Sequence, residues 1–312
     1  MRVAVTGAYG YSGQYIARRL LDFGHDVITL TSSSGRDSPL RAMVPAFPLR
    51  FAAPAEMAKS LGGTDVLINT YWVRFNSRRF TFFQAIENSR KLFAAAKAAG
   101  VARIVHVSIT NPDEKSDLEY FRGKALVEDA LVESGLAHSI LRPAVIFGRE
   151  DILINNIAWL LRRLPVFGVF GDGGYRLQPI YVDDLAELAV RAVGGTANET
   201  INAIGPETFS YREMVEAIGN TIGHPRRVVS VPPSLGYAFG CVMGALVRDV
   251  VITRQEIQGL MEERLYVNTP PVGCTKLTDW AKANRDWLGN RYASEMARRV
   301  DHSRSYEALR SG

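Results

Sequence analysis

The chain has 312 residues, 47% of them apolar and 22% charged, which is typical of a globular protein with one large domain or two moderate ones. Its net charge of +5 is small, and acidic residues interrupt the densest basic stretch, residues 285–310, so we do not expect it to bind nucleic acid. Cys241 and Cys274 lack metal-ligand spacing. They predict free thiols in a reducing compartment, with neither a disulfide framework nor a metal site.

The first residues of the chain and its most apolar segment predict the cellular location of the protein. The chain opens directly into MRVAVTG, without a charged and then apolar leader, which predicts no signal peptide. The most apolar window, Ser234–Val247, has 14 residues and is too short to span a bilayer. We therefore expect a cytoplasmic protein without a membrane span. Peripheral contact with a membrane stays open.

Strand and helix patterns alternate in the first two hundred residues. Five β-branched runs predict buried parallel strands: RVAVT, DVITLT, DVLINT, RIVHVS and HSILR. A further strand, the third along the chain, is expected near LRFAAPAE, residues 49–56. Helical patterns lie between the strands, over Gly13–Phe23, Ala55–Leu61, Phe80–Ala99 and Leu118–Ser134. This alternation predicts an α/β fold, a Rossmann-like doubly wound parallel sheet.

The rhythm changes after Pro143. An inserted helix is predicted over residues 151–165, and a glycine-rich loop over 168–182 leads into a strand. A helix over 183–193 and a strand over 199–204 resume the alternation, and the chain from Ser210 onward is mostly helical, with a short strand over 227–232. We therefore expect a Rossmann domain at 1–150, completed by about 178–204. A smaller, mostly helical C-terminal lobe is expected from 151–177 and 205–312.

Three glycines follow the first strand and open the first helix. Gly7, Gly10 and Gly13 have the spacing G-x-x-G-x-x-G. Tight strand–helix turns use glycine for steric reasons alone, but this position lets a backbone approach a pyrophosphate at a helix N-terminus. The pattern predicts a dinucleotide site with further contacts from Tyr9, Tyr11 and Ser12.

The end of the second strand bears on which dinucleotide binds. An NAD site needs a carboxylate there for the ribose 2′-hydroxyl, but this chain has Thr31 at that position. Ser32, Ser33 and Arg36 follow, and hydroxyls with an arginine suit a 2′-phosphate. NADP(H) is therefore predicted over NAD(H), the alternative being that Arg36 is only an exposed loop residue.

Several motifs fall in the order found in one superfamily. They are Thr6–Gly13, NTYW at 69–72, Asn88, Ser108, Tyr120-x-x-x-Lys124 and LRPAVIFG at Leu141–Gly148. Over about residues 1–205 the chain resembles the extended and atypical short-chain dehydrogenases/reductases, including epimerase/dehydratase-like proteins. IFGREDILIN followed by QPIYVDDLA resembles the subgroup that contains the NAD(P)H-binding accessory subunit of respiratory complex I. The resemblance implies cofactor contacts from Thr70, Tyr71, Ser108, Pro143 and Val145, and a catalytic hydroxyl at Thr110.

The stretch YFRGK carries the candidate chemistry. Tyr120 and Lys124 are four residues apart on a predicted helix and so share a face. An ammonium there lowers the phenol pKa, and the resemblance implies that Lys124 also binds the nicotinamide ribose. Tyr120 would then exchange a proton with a carbonyl or alcohol, while Thr110, or Ser108, holds the substrate oxygen. The alternative is a solvated helix pair.

We therefore expect an NADP(H)-dependent oxidoreductase for a small apolar carbonyl or alcohol. Tyr120 follows Thr110 by only ten positions, a shorter spacing than in nucleotide-sugar epimerases and dehydratases, which disfavours an epimerase or dehydratase. A non-catalytic cofactor-binding sensor or assembly protein is the other alternative. Ser234–Val247 predicts a lipid-like or quinone-like ligand, or else lobe core or a dimer face. Monomer and homodimer both stay open, and His106 is expected to be a core residue.

Overall fold

The computed structural model describes residues 1–77, 80–306 and 308–311. The chain forms two compact units. The first contains Met1–Pro143 and Val182–Ala203, and the second contains Ala144–Tyr181 and Ile204–Gly312.

Strands and helices alternate in the first unit, whereas helices predominate toward the C-terminal end. The strands are β1 Arg2–Thr6, β2 Asp26–Thr31, β3 Ala46–Pro48, β4 Val66–Asn69, β5 Arg103–Val107, β6 Ala137–Pro143, β7 Ile146–Phe147, β8 Val166–Phe170, β9 Arg176–Leu177, β10 Ile180–Tyr181, β11 Glu199–Ala203, β12 Phe209–Ser210, β13 Arg227–Val231, β14 Tyr292–Ala293 and β15 Arg310–Ser311. The helices are α1 Tyr11–Asp22, α2 Pro54–Ser60, α3 Phe82–Ala98, α4 Glu119–Glu133, α5 Leu153–Arg163, α6 Val182–Val193, α7 Tyr211–Thr221, α8 Pro233–Val247, α9 Arg254–Met261, α10 Leu277–Ala283 and α11 Glu295–Val300.

The first unit is built on a seven-stranded parallel sheet with the order β11-β6-β5-β4-β1-β2-β3. Every residue of β4 and β5 is buried, as parallel strands are when helices cover both faces of a sheet. α1 packs against α6, and α3 packs between α2 and α4. This confirms the doubly wound Rossmann-like fold. The strand order reverses between β1 and β4, the position where such sheets bind ligands.

Local capping explains where the helices begin. The helix expected from Phe80 starts at Phe82, because the Thr81 side chain accepts a hydrogen bond from the Gln84 N–H and the Gln84 side-chain oxygen accepts one from the Thr81 N–H. The third strand was expected near residues 49–56, and that expectation is wrong. It lies at Ala46–Pro48, since Pro54 opens α2 within the expected range.

The second unit combines helices with two-stranded pairings. β7 pairs with β10 and β8 with β13 in parallel, whereas β9 pairs with β12 antiparallel. Its core includes Phe147, Ile157, Leu177, Met214 and Trp280. The apolar window of the sequence is helix α8. In the described part of the chain, no helix has the length and apolar content needed to cross a bilayer.

Candidate functional site

The turn after β1 brings helix α1 against the loop backbone. Gly7 has φ +68°, a left-handed conformation that favours glycine, and its N–H donates to the Leu30 carbonyl at 2.9 Å. At Gly13, a Cβ atom would lie 2.2 Å from the Gly7 carbonyl oxygen. The first turn of α1 can therefore approach the loop only because residue 13 has no side chain.

The start of α1 fits a pyrophosphate. Its N-cap is Gly10, no side chain of the described residues caps it, and its first turn has no acidic residue. The backbone N–H groups and dipole of a helix N-terminus favour an anion there. Tyr11 and Ser12 are the first two helical residues and are half-buried. Tyr9 is buried, and its hydroxyl donates to the Val44 carbonyl at 2.6 Å, which leaves only its backbone for the loop.

A tight turn follows β2. The Thr31 hydroxyl accepts a hydrogen bond from the Ser33 N–H at 3.0 Å, and the Arg36 N–H donates to the Ser33 carbonyl. The Arg36 side chain is only 4% exposed, so it is not the exposed loop residue of the alternative interpretation. Ser32 is exposed. The first carboxylate after β2 belongs to Asp37, an exposed residue that the sequence interpretation did not consider.

Hydrogen bonds join the ends of β1 and β4. The Thr70 N–H donates to the Thr6 hydroxyl at 2.8 Å, and the Thr70 hydroxyl donates to the Thr6 carbonyl at 2.6 Å. The Asn69 side-chain oxygen accepts from the Thr6 hydroxyl and from the Tyr71 N–H. The side chain of Asn69 is also 3.1 Å from Nδ1 of His106, which is fully buried and, as expected, a core residue. Burial lowers the pKa of His106 well below its ordinary value.

Tyr71 is held by α3. Its hydroxyl oxygen accepts a hydrogen bond from the side-chain amide of Asn88 at 2.9 Å. Burial raises the pKa of Tyr71 to about 12, so its phenol stays protonated near neutral pH. Asn88, one of the residues behind the family resemblance, thus fixes the segment that follows β4.

Lys124 is a buried cation on α4. It is 3% exposed, and its Nζ donates to the carbonyl of Val107, the last residue of β5, at 2.9 Å. Nζ also lies 4.8 Å from the centroid of the Trp72 ring, within cation–π range. Burial lowers the pKa of Lys124 to about 7, and nearby Glu128 acts in the opposite direction.

The glycine inside YFRGK makes room for Trp72. A Cβ atom at Gly123 would lie 3.0 Å from Cη2 of the indole. The indole also stacks on Phe82, with the ring centroids 5.8 Å apart. Trp72 Nε1 is buried and has no hydrogen-bond partner among the described residues. Gly123 therefore costs the helix some stability but lets Trp72 lie over Lys124.

Tyr120 lies one turn before Lys124 and is half-buried. Its ring meets Trp72 and Phe82 edge to face, with centroid distances of 6.0 and 5.8 Å, and it also contacts Phe121. The structure thus brings Tyr120, Lys124 and Trp72 together and surrounds the candidate phenol with aromatic rings.

The two candidate hydroxyls after β5 differ in their surroundings. The Ser108 hydroxyl donates to Glu128, a buried carboxylate that also accepts from Nε of Arg142 at 3.1 Å. Thr110 is fully buried, and its N–H donates to the Pro143 carbonyl at 3.0 Å. Sequence reasoning missed Glu128, although its position four residues after Lys124 would have marked it as a neighbour on α4.

Val145 belongs to the second unit. It is buried, and its carbonyl accepts a hydrogen bond from the Ile180 N–H at 2.7 Å. In the same unit, three arginines considered for a diphosphate have intramolecular acceptors. Arg162 and Arg163 donate to backbone carbonyls between residues 285 and 290, and Arg176 pairs with Glu263.

The buried lysine predicts a pH-dependent stability. In the unfolded chain Lys124 keeps its proton up to its ordinary pKa of 10.5, whereas the folded chain releases it from about pH 7. The folded chain then binds fewer protons between these values, so the free energy of unfolding rises with pH there, by at most about 1.4 kcal/mol per pH unit. The free energy of unfolding can be measured by urea unfolding at about pH 7, 8 and 9, which lie within that window. It should rise with pH in the wild type and not in Lys124→Met. Equal slopes would contradict the burial effect.

The sheet, its order reversal and the glycine turn at α1 define a Rossmann-type fold, the fold in which α/β proteins bind dinucleotides at this position. Residues 7–152, just under half of the chain, match the NAD(P)H-binding family. The chain is also 28% identical over 262 residues to the mitochondrial NADH dehydrogenase (ubiquinone) 1 alpha subcomplex subunit 9 of Arabidopsis thaliana. The match covers 79% of this chain and 64% of the length of that subunit.

Two solved structures extend the likeness over most of the chain. A triphenylmethane reductase of Citrobacter sp., complexed with NADP(H), has a TM-score of 0.75 and 17% identity, covering 91% of this chain and 99% of the reductase. An NADPH-dependent quinone oxidoreductase of Escherichia coli, complexed with NADPH, has a TM-score of 0.71 and 17% identity, covering 90% and 99%. At these identities the likeness shows the fold alone.

Proposed function

We propose that the protein is an NAD(P)(H)-dependent oxidoreductase that interconverts a small apolar carbonyl compound and its alcohol. The observation that carries the proposal is the position of Lys124, buried and bonded to the Val107 carbonyl, with Tyr120 one turn away. Val107 ends β5, and the carboxyl ends of parallel strands are where α/β sheets bind ligands. A solvated helix pair would not have a fully desolvated lysine.

Each side chain has a definite part in the proposed reduction. A dinucleotide held by the glycine turn and Lys124 would supply the hydride for the carbonyl carbon of the substrate. Tyr120 donates its phenolic proton to the carbonyl oxygen, which completes the alcohol, and the phenolate left behind is stabilised by the Lys124 ammonium. Thr110 holds the substrate oxygen, the role that the family resemblance implies for it, whereas the Ser108 hydroxyl donates to Glu128.

The surroundings of Tyr120 favour an apolar substrate. Three aromatic rings contact it, those of Trp72, Phe82 and Phe121. A nucleotide sugar would need cations for its diphosphate, whereas Arg176 is already paired with Glu263. These contacts support a small apolar carbonyl over a nucleotide sugar.

The proposed dinucleotide contacts lie on the glycine turn after β1 and near the carboxyl ends of the other strands. We assign the pyrophosphate to the backbone around Gly7, Gly10 and Gly13, and the nicotinamide ribose to Lys124. Contacts from Thr70, Tyr71, Pro143 and Val145 are proposed from the family resemblance.

NADPH should bind about tenfold more tightly than NADH, which corresponds to about 1.4 kcal/mol. The end of β2 has Thr31 in place of a carboxylate, and Arg36 follows to contact a 2′-phosphate. Titration of protein fluorescence with each dinucleotide measures the ratio. Arg36→Gln should bring the ratio close to one with little change in NADH affinity. Equal or tighter binding of NADH by the wild type would overturn the NADP assignment.

Turnover is the direct test of the oxidoreductase. NADPH oxidation would be followed at saturating cofactor against a panel of apolar aldehydes, ketones and quinones, with nucleotide-sugar ketones as the comparison. Turnover of apolar carbonyls alone is the expected result. Turnover of the sugars alone would overturn the proposed substrate class.

A second function is a cofactor-binding protein without turnover. The similarity to the mitochondrial NADH dehydrogenase subunit favours it, as does the indole of Trp72, which lies over the lysine that would bind the ribose. Tight NADPH binding with no oxidation of any compound in the panel would decide for this function.

A further inference from the structure

Helix α8 turns its glycines inward and its large apolar side chains outward. A Cβ atom at Gly236 would lie 2.5 Å from the Phe170 ring, and one at Gly240 would lie 2.8 Å from Ile252. At Gly244, a Cβ atom would lie 2.6 Å from the Asp249 carbonyl oxygen. The three glycines are four residues apart and form the face on which the helix packs.

The outer face of the same helix is apolar. Leu235, Phe239, Val242 and Leu246 follow one another at helical spacing, and all are exposed, up to 73% at Leu246. From Pro233 to Val247 the helix has no charged residue. A helix that only had to support its unit would bury such side chains and expose polar ones. Helix α8 instead exposes these four apolar side chains and packs through its glycines. The four residues are therefore not the core of the unit, and their face is suited to a partner.

The charges around α8 indicate which partner this is. Residues 217–255 contain four arginines and one carboxylate, that of Asp249. Asp249 is buried and accepts hydrogen bonds from the Tyr292 hydroxyl and from the Glu295 and Met296 N–H groups, so it is not available to a partner. Arg248 ends α8 and is exposed, and Arg254 lies 4.8 Å from the Tyr237 ring centroid.

We propose that the outer face of α8 docks onto an anionic lipid surface, with the helix lying in the plane of the interface. Lipid acyl chains cover the four apolar side chains, and anionic headgroups pair with Arg248 and Arg254. A second copy fits less well, because the same segment of that copy would bring more arginines and no available carboxylate. This inference is independent of the proposed enzymatic function.

Vesicle flotation of the full chain tests the inference. We expect binding to vesicles of phosphatidylcholine and phosphatidylglycerol in equal parts, weaker binding at high salt, and little binding to phosphatidylcholine alone. Val242→Glu should lower the partition coefficient at least about tenfold, which corresponds to about 1.4 kcal/mol. Val132→Glu is the matched control, because Val132 is 55% exposed on helix α4, close to the 60% of Val242, and it should bind like the wild type.

A second experiment tests whether Arg248 and Arg254 bind the anionic headgroups. The double variant Arg248→Asn, Arg254→Gln should lose preference for anionic vesicles, and asparagine suits residue 248 because its φ is +53°. Circular dichroism and unfolding curves confirm that each variant is folded. Wild-type binding by Val242→Glu, or equal binding to neutral and anionic vesicles, would overturn the proposal. A dimer that Val242→Glu dissociates, without vesicle binding, would assign the face to a second copy instead.

Discussion

Replacement of Tyr120 by phenylalanine is expected to lower the turnover number by about two to four orders of magnitude, the usual contribution of a well-placed acid or base. The change removes one oxygen and keeps the ring, so the edge-to-face contacts with Trp72 and Phe82 persist. Affinity for the dinucleotide should therefore stay nearly unchanged. Steady-state kinetics and fluorescence titration of the same preparation measure the two quantities.

Lys124→Met is the informative comparison, because it should weaken both turnover and cofactor affinity. In the proposed mechanism the lysine stabilises the phenolate and also binds the ribose, whereas the phenol only transfers a proton. Tyr266→Phe removes a hydroxyl from the second unit and should behave like the wild type. If Tyr120→Phe retained the activity of the wild type, the catalytic role of Tyr120 would be wrong even if the protein proved to be an oxidoreductase.

Gly13→Ala should lower dinucleotide affinity by about a hundredfold, or about 2.7 kcal/mol. The new Cβ atom would lie 2.2 Å from the Gly7 carbonyl oxygen, and a backbone atom cannot move away as the end of a flexible side chain can. α1 must then shift from the loop, which separates the helix N-terminus from the backbone that binds the pyrophosphate. The same clash should lower the free energy of unfolding by about 1–3 kcal/mol.

The matched control is Gly194→Ala, since a Cβ atom there would have its nearest neighbour at 4.0 Å. Urea unfolding identifies the folded fraction, and fluorescence titration of folded protein gives the affinity. Wild-type affinity in folded Gly13→Ala would contradict the close-approach role of this glycine.

The sheet of the first unit could be predicted because its signals are local. Parallel strands buried on both faces become short β-branched runs, and β1, β4 and β5 lie where RVAVT, DVLINT and RIVHVS predict them. The glycine turn at Gly7 is local too, because its spacing and the flanking strand and helix are adjacent in sequence. β3 was misjudged because its three residues are too few for a clear period, while Pro54 starts a helix nearby.

The surroundings of the site could not be predicted, because they depend on contacts between distant segments. Sequence spacing brings Tyr120 and Lys124 onto one face but does not predict that Trp72 covers the lysine. The hydrogen bond from the Ser108 hydroxyl to Glu128 could not be predicted either, because the motif shows only that a serine follows β5. The direction in which α8 presents its apolar side chains was equally inaccessible. A hydropathy pattern would turn the large apolar side chains of α8 toward the core, whereas the structure packs the glycine face and leaves those side chains exposed.

The close contact between Gly123 and Trp72 means that the residue allowed at one position depends on the residue at the other. Any side chain at position 123 would meet the indole, and a smaller residue at 72 would leave a gap above the helix. A glycine at 123 in a homologous chain should therefore accompany a bulky aromatic at 72, and an alanine or serine should accompany a smaller residue. Such covariation would allow the covered lysine to be recognised in chains known only from their sequences.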